Sequence, residues 1–95
     1  MNEIIAERRL LYGKKSSGER IPLTIRVGRP YWLQPEVAAC PLEWDGLFGA
    51  LPDVQGADLL QALYLAADVE PMLKAQSKKY DFFFAGGEPY FDSEP

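Results

Sequence analysis

Histidine is absent from this chain, and cysteine occurs once, at Cys40. Without histidine, Ser–His–Asp and Cys–His nucleophile systems cannot be assembled within one chain. One cysteine and no histidine also exclude zinc sites of the usual Cys/His type. A lone cysteine leaves no intramolecular disulfide, which fits a reducing compartment. No apolar run approaches the roughly 18 residues that a membrane-spanning helix needs. The nearest, Leu59 to Leu73, is interrupted by Gln61, Asp68, Glu70 and Pro71. The start of the chain lacks the basic-then-apolar order of a secretory signal, so a cytoplasmic address is the expectation.

Basic residues are also missing from the whole stretch between Tyr31 and Leu73. That stretch carries seven acids: Glu36, Glu43, Asp45, Asp53, Asp58, Asp68 and Glu70. The first thirty residues run the other way, with seven basic residues against three acidic ones. Two readings follow. The segments neutralise one another once folded, or the acids form a face that steers a basic protein partner. The net charge of −4 and pI near 4.7 disfavour nucleic acid, whose phosphates need a cationic surface.

What is present describes one small domain over residues 1–95. The hydrophobic share of 47% suffices for one core and argues against general disorder. Residues 1–12 read as a strand, with helix the competing reading because Glu7, Arg8 and Arg9 are good helix formers. Gly13 to Gly18 is a turn by composition. Residues 20–28 give the cleanest strand, since Ile21, Leu23, Ile25 and Val27 alternate with Pro22, Thr24, Arg26 and Gly28. Tyr31 to Pro35 reads as an aromatic, proline-bounded loop. Residues 36–48 make a third strand, in which Pro41 calls for an edge position or a bulge. Leu51 to Gln55 reads as loop.

Residues 56–78 read as one long helix, with Asp58 suited to its first turn and Lys74, Lys78 and Lys79 at its end. Leu59, Leu63, Ala66 and Leu73 follow the helical period, and Leu60, Ala67 and Met72 widen the stripe expected to be buried. Pro71 requires a kink or a restart there. A strand over 80–85 and a tail over 86–95 complete the chain. The expected fold is α+β, a three- to four-stranded antiparallel sheet (meander) with one long helix packed on one face.

Few residues point to chemistry. Glu43 with Asp45, and Asp68 with Glu70, are carboxylate pairs that read as solvated surface. Asp53, Asp58 and Glu43 have the ligand type of a hard-cation site but the spacing of no calcium loop. Gly13 to Gly18 has the glycine spacing of a phosphate-binding loop, yet Glu19-Arg20 stands where Lys-Ser/Thr is needed. Cys40, among Ala38, Ala39 and Leu42, reads as a small buried hydrophobe. Three consecutive phenylalanines, 82–84, force at least one ring to the sheet face without a helix. That ring, taken as Phe83, joins Trp32, Glu43, Asp45 and Asp68 as the candidate partner surface. A tail folding back through Tyr90 and Phe91 is the alternative cover for it.

The runs Ile25-Arg26-Val27-Gly28-Arg29-Pro30, Cys40-Pro41 and Gly56-Ala57-Asp58-Leu59-Leu60-Gln61-Ala62-Leu63 resemble a family of small uncharacterised bacterial proteins with a G-x-D-x-x-Q-A-L helix. The chain departs from that pattern at Leu59, where a small polar residue is expected, and at Pro71. The resemblance implies fold and bacterial origin and transfers no catalytic residue. The expectation is therefore a non-catalytic protein-binding module, immunity-like or regulatory, with no cofactor and no metal. The alternatives are a small carboxylate-based enzyme or ligand-binding domain, and a structural subunit that dimerises.

Overall fold

The computed structural model describes residues 3–91. It contains β1 (Ile4–Lys14), β2 (Ile21–Gly28), β3 (Tyr31–Gln34), β4 (Val37–Asp45), β5 (Gly49–Gly56), α1 (Leu59–Ala67), α2 (Glu70–Gln76) and β6 (Tyr80–Phe84). The fold is α+β with an antiparallel sheet, as the sequence implies. The sheet has six strands, however, not three or four.

Both additional strands fall where prolines suggested loops. Tyr31–Gln34 lies between Pro30 and Pro35, and proline favours extended backbone at the residue before it. The segment is thus preset to pair, and it does so with Val37–Ala39. Gly49–Gly56 tolerates Pro52 because it lies along only one side of β4, where a strand can lack a ladder donor. Pro41 sits at a register shift between Cys40 and Leu42 in the β4–β5 ladder. Of the two placements expected for it, the bulge is the one found, since β4 has neighbours on both sides.

One side of β4 is paired with β5 from Ala38 to Trp44. The other is shared: β2 takes Leu42–Asp45 and β3 takes Val37–Ala39. β2 and β3 therefore lie end to end as one strand interrupted at Arg29-Pro30. In that sense β1, β2–β3, β4 and β5 do form a meander. β6 then returns to the far side of β1, pairing Leu10–Lys14 with Tyr80–Phe84. Asp45-Gly46 makes the turn into β5, with Gly46 at φ 110°, a conformation that suits glycine.

The helical stretch spans Leu59 to Gln76 and is broken at Asp68-Val69, so of the kink and the restart expected at Pro71 within 56–78 the restart is the one found. Pro71 has no N–H for the Ala67 carbonyl and would clash with it, so α1 cannot run through. The chain restarts as α2 with Pro71 in the first turn, where the missing donor costs nothing. The start is also later than expected, because Gly56 and its neighbours extend β5. Asp58 caps α1 by accepting from Gln61 N–H at 2.7 Å, while Gln61 Oε1 accepts from Ala57 N–H at 2.6 Å. Gln61 thus serves a loop N–H. This reciprocal arrangement fixes the entry of the helix.

α1 lies on β4 and β5 through small residues, with Ala62 and Ala66 buried in the same core cluster as Ala38. A methyl group added at Gly56 would stand 2.7 Å from the Ala62 nitrogen, so only glycine permits that approach. Trp44, Leu23, Leu73 and Cys40 are the largest fully buried side chains. Leu23, Ile25 and Val27 are buried as their alternation predicts. The tail is not free over its described part. Tyr90 N–H donates to Phe82 O, and Tyr90 and Phe91 pack against the core. Residues 1–2 and 92–95, read as strand start and tail end, lie outside the described residues.

Candidate functional site

The five residues marked by the sequence do not form one surface. Glu43 and Asp45 stand on the face of β4 turned away from the helices. Arg26, paired opposite Glu43 on β2, reaches Asp45 at 2.8 Å, Glu43 at 3.3 Å and Glu7 at 3.7 Å. The hydrogen bond that Arg26 donates to Asp45, together with the neighbouring Glu43, raises the Arg26 pKa above its ordinary value. Asp68 is exposed at the end of α1, on the opposite side of the sheet. Trp32 is exposed on β3. Phe83 does point to the helix-free face, opposite Leu11, but it is buried. The Arg20 guanidinium covers its ring at 3.6 Å, a cation–π contact. The exposed ring of the three is Phe84, which packs on Tyr90 at 4.9 Å.

Among the described residues three of the seven acids in the stretch, Glu43, Asp45 and Glu70, are matched to Arg26 and Arg8 of the basic start, so the first of the two electrostatic readings holds only in part. Beyond the Arg26 cluster, Arg8 Nη1 donates to Glu70 at 3.1 Å and to the Tyr90 hydroxyl at 2.8 Å, and that hydroxyl also donates to Glu70. Burial, and then the bond to Glu70, push the Tyr90 hydroxyl pKa up. This triangle ties β1, α2 and the C-terminal segment together. Carboxylates drawn onto guanidinium groups across strands are poor material for one long-range acidic face.

A groove of about 600 Å³ opens on the helix-free face, where the β2–β3 interruption meets the Pro41 bulge. Pro41, Leu42, Ala50 and Leu51 line it, with Tyr31 and Asp53 on one side and Glu3 and Arg29 on another. Tyr31 pairs with Ala39, and its hydroxyl donates to Asp53 at 2.5 Å. The ring therefore crosses β4 above Ala39, which is buried outside the main core cluster. The bond to Asp53 raises the Tyr31 pKa. Glu3 is held by Arg29 at 3.6 Å. Among the described residues no three His, Cys, Asp or Glu side chains converge as metal ligands. Cys40 is buried, donates to Gly28 O at 3.2 Å, and has its thiol pKa pushed up by burial. It is packed as a hydrophobe, as its sequence neighbours suggest.

The largest departure concerns α1. Leu60, Ala67 and Met72 were expected inside, but all three are exposed, Leu60 by 75%. Tyr64, one turn beyond Leu60, is 65% exposed, and Leu65 is 43% exposed. The helix reads LLQALYLAA and has no charged residue. An uncharged helix is ordinarily covered all round, whereas this one is covered by the sheet on one side only. That lack of charge is the sequence signal that points to Leu60 and Tyr64. Compared with family models, with curated proteins and with solved structures, the chain finds no match.

Proposed function

We propose that this chain is a non-catalytic protein-binding module, immunity-like or regulatory, whose partner is a basic protein that covers the outward face of α1. The observation that carries this reading is the uncharged helix with Leu60 and Tyr64 in water. Aromatic and large aliphatic side chains that the core does not need are the usual anchors of an interface. Exposed carboxylates mark both ends of the stripe, Asp58 at the start of α1 and Asp68 at its end. They are about 15 Å apart by helix rise. No Lys or Arg occurs between Tyr31 and Leu73. The matching surface is thus an apolar patch rimmed by Lys and Arg. In this proposal the chain belongs with the bacterial proteins it resembles and works in the cytoplasm. Among the described residues no helix is long and apolar enough to cross a membrane.

The test uses the basic proteins encoded beside its gene, purified and titrated singly against the chain by calorimetry. At least one is expected to bind, and Leu60→Lys with Tyr64→Lys should weaken it roughly a hundredfold, two hot-spot losses. Glu43→Gln on the opposite face should leave binding unchanged. Equal binding by the helix variants, or binding by none of the proteins, overturns the proposal.

The groove beneath Tyr31 is the one observation that favours the ligand-binding or small-enzyme alternative. Amide shifts confined to Ala50–Asp53 on titration with small amines or carboxylates would support it. An unmoved spectrum would dispose of it.

A further inference from the structure

We infer that the N-terminal half of β1, Ile4–Arg9, is a docking edge for the same segment of a second copy of this chain, the two strands running antiparallel across a two-fold axis. β1 is eleven residues long, but β6 pairs only with Leu10–Lys14. On that side Ile4–Arg9 has no strand beside it among the described residues. β6 stops there because Ala85-Gly86-Gly87 turns the chain away, with Gly87 at φ 99° and its N–H on Phe84 O.

The other free edges of the sheet are marked by proline. β3 lies between Pro30 and Pro35, β5 contains Pro52, and the outer side of β6 is bridged by Pro89. Prolines and covering turns are how sheets keep an edge from pairing. Ile4–Arg9 has neither, and its one irregularity is a register shift against β2 between Ile4 and Ala6. It exposes Ile4 by 47% and Ile5 by 43%. Its charged side chains sit in exposed pairs, Arg8 with Glu70 and Arg9 with Glu7 along the same strand, contacts weak enough to be exchanged for a pair with another chain.

The occupant follows from room and charge. With β6 ending opposite Leu10, an added strand has the length of Ile4–Arg9 to fill. The segment reads acid first and base last, Glu3-Ile4-Ile5-Ala6-Glu7-Arg8-Arg9. Antiparallel self-pairing about Ala6 brings Glu3 of each copy to the Arg8-Arg9 end of the other, twice over, as an isologous contact requires. A cleft of about 150 Å³ between Ala6-Glu7-Arg8 of this edge and Ile25, Val27, Ala67 and Val69 is available to apolar side chains of the incoming strand. Main-chain hydrogen bonds would supply affinity and the cleft would supply register, as in strand addition generally.

Sedimentation equilibrium of the full chain over a wide concentration range tests this. The expected result is reversible growth toward twice the 10.7 kDa monomer mass, with amides of Ile4–Arg9 gaining hydrogen-exchange protection as concentration rises. Ile4→Lys with Ile5→Lys, both at exposed positions, should keep the monomer's circular dichroism and raise the dimer dissociation constant at least roughly tenfold. A chain that stays monomeric at high micromolar concentration overturns the inference. So does a dimer indifferent to the two lysines, or one dissolved by Leu60→Lys and Tyr64→Lys, which would assign self-association to α1. The proposed basic partner is read on those α1 variants alone, so the two proposals fail separately.

Discussion

On its helix side β4 buries Ala38, Cys40, Leu42 and Trp44, with Trp44 wholly removed from water. On the other side the same strand presents Glu43 and Asp45, both on Arg26. Alternation along one strand thus separates two kinds of stability. The inner face depends on shape and apolar area, and the loss of one side chain there leaves a cavity that neighbours cannot fill. The outer face depends on charges in contact with water, where each pair contributes little and salt weakens it further.

The comparison is broken most severely at Trp44. Trp44→Ala should destabilise the chain by about 3–5 kcal/mol, read as a lower midpoint in urea unfolding. Trp44→Phe should cost much less. The indole Nε1 has no hydrogen-bond partner among the described residues, so phenylalanine removes a buried orphan donor and keeps a ring beside Phe48, now 5.5 Å away. Equal losses for the two variants would show that the inner face is not governed by packing volume.

A smaller effect is expected at Arg26. Arg26→Ala leaves Glu7, Glu43 and Asp45 facing one another, so its melting temperature should fall by less than that of Trp44→Ala. The deficit should shrink with added salt. A salt-independent deficit would assign Arg26 a packing role instead.

The smallest effect concerns Tyr31. Its folded pKa is raised by the hydrogen bond to Asp53. The stability this contributes is present below the unfolded tyrosine pKa of about 10, and it is lost as pH rises through the higher folded value. Asp53→Asn should therefore bring the alkaline absorbance midpoint of Tyr31 down toward the ordinary value, leaving stability near neutral pH little changed. A midpoint that does not move would place the cause in burial.

Where one residue type decided the matter locally, the sequence was legible. Leu23, Ile25 and Val27 announced a half-buried strand, Asp45-Gly46 a turn, Asp58 the start of a helix, and Pro71 an interruption. Where a residue's role depended on its neighbours across the sheet, it was not. Pro30, Pro35 and Pro52 read as loop signals because nothing in the local pattern says that β4 offers backbone partners to both flanking segments. The same holds for the candidate surface. Phe83 was placed on the correct face by strand parity, but Arg20, distant in sequence, removes it from solvent. Leu60 looked like core because helical periodicity in an uncharged helix cannot say which side the sheet will take.

The sequence by itself determined the class of fold, the helix break, and the exclusion of histidine-dependent chemistry, because each follows from the residue types present or missing. Only the tertiary structure decided that Arg8 and Arg26 of the basic start pair with Glu43, Asp45 and Glu70 of the acidic middle, that α1 keeps an apolar side in water, and that β1 has six residues of edge with no neighbouring strand among the described residues. Those outcomes depend on which strands lie next to one another. Cross-strand distance, unlike alternation or helical period, leaves no mark on residues read one after another.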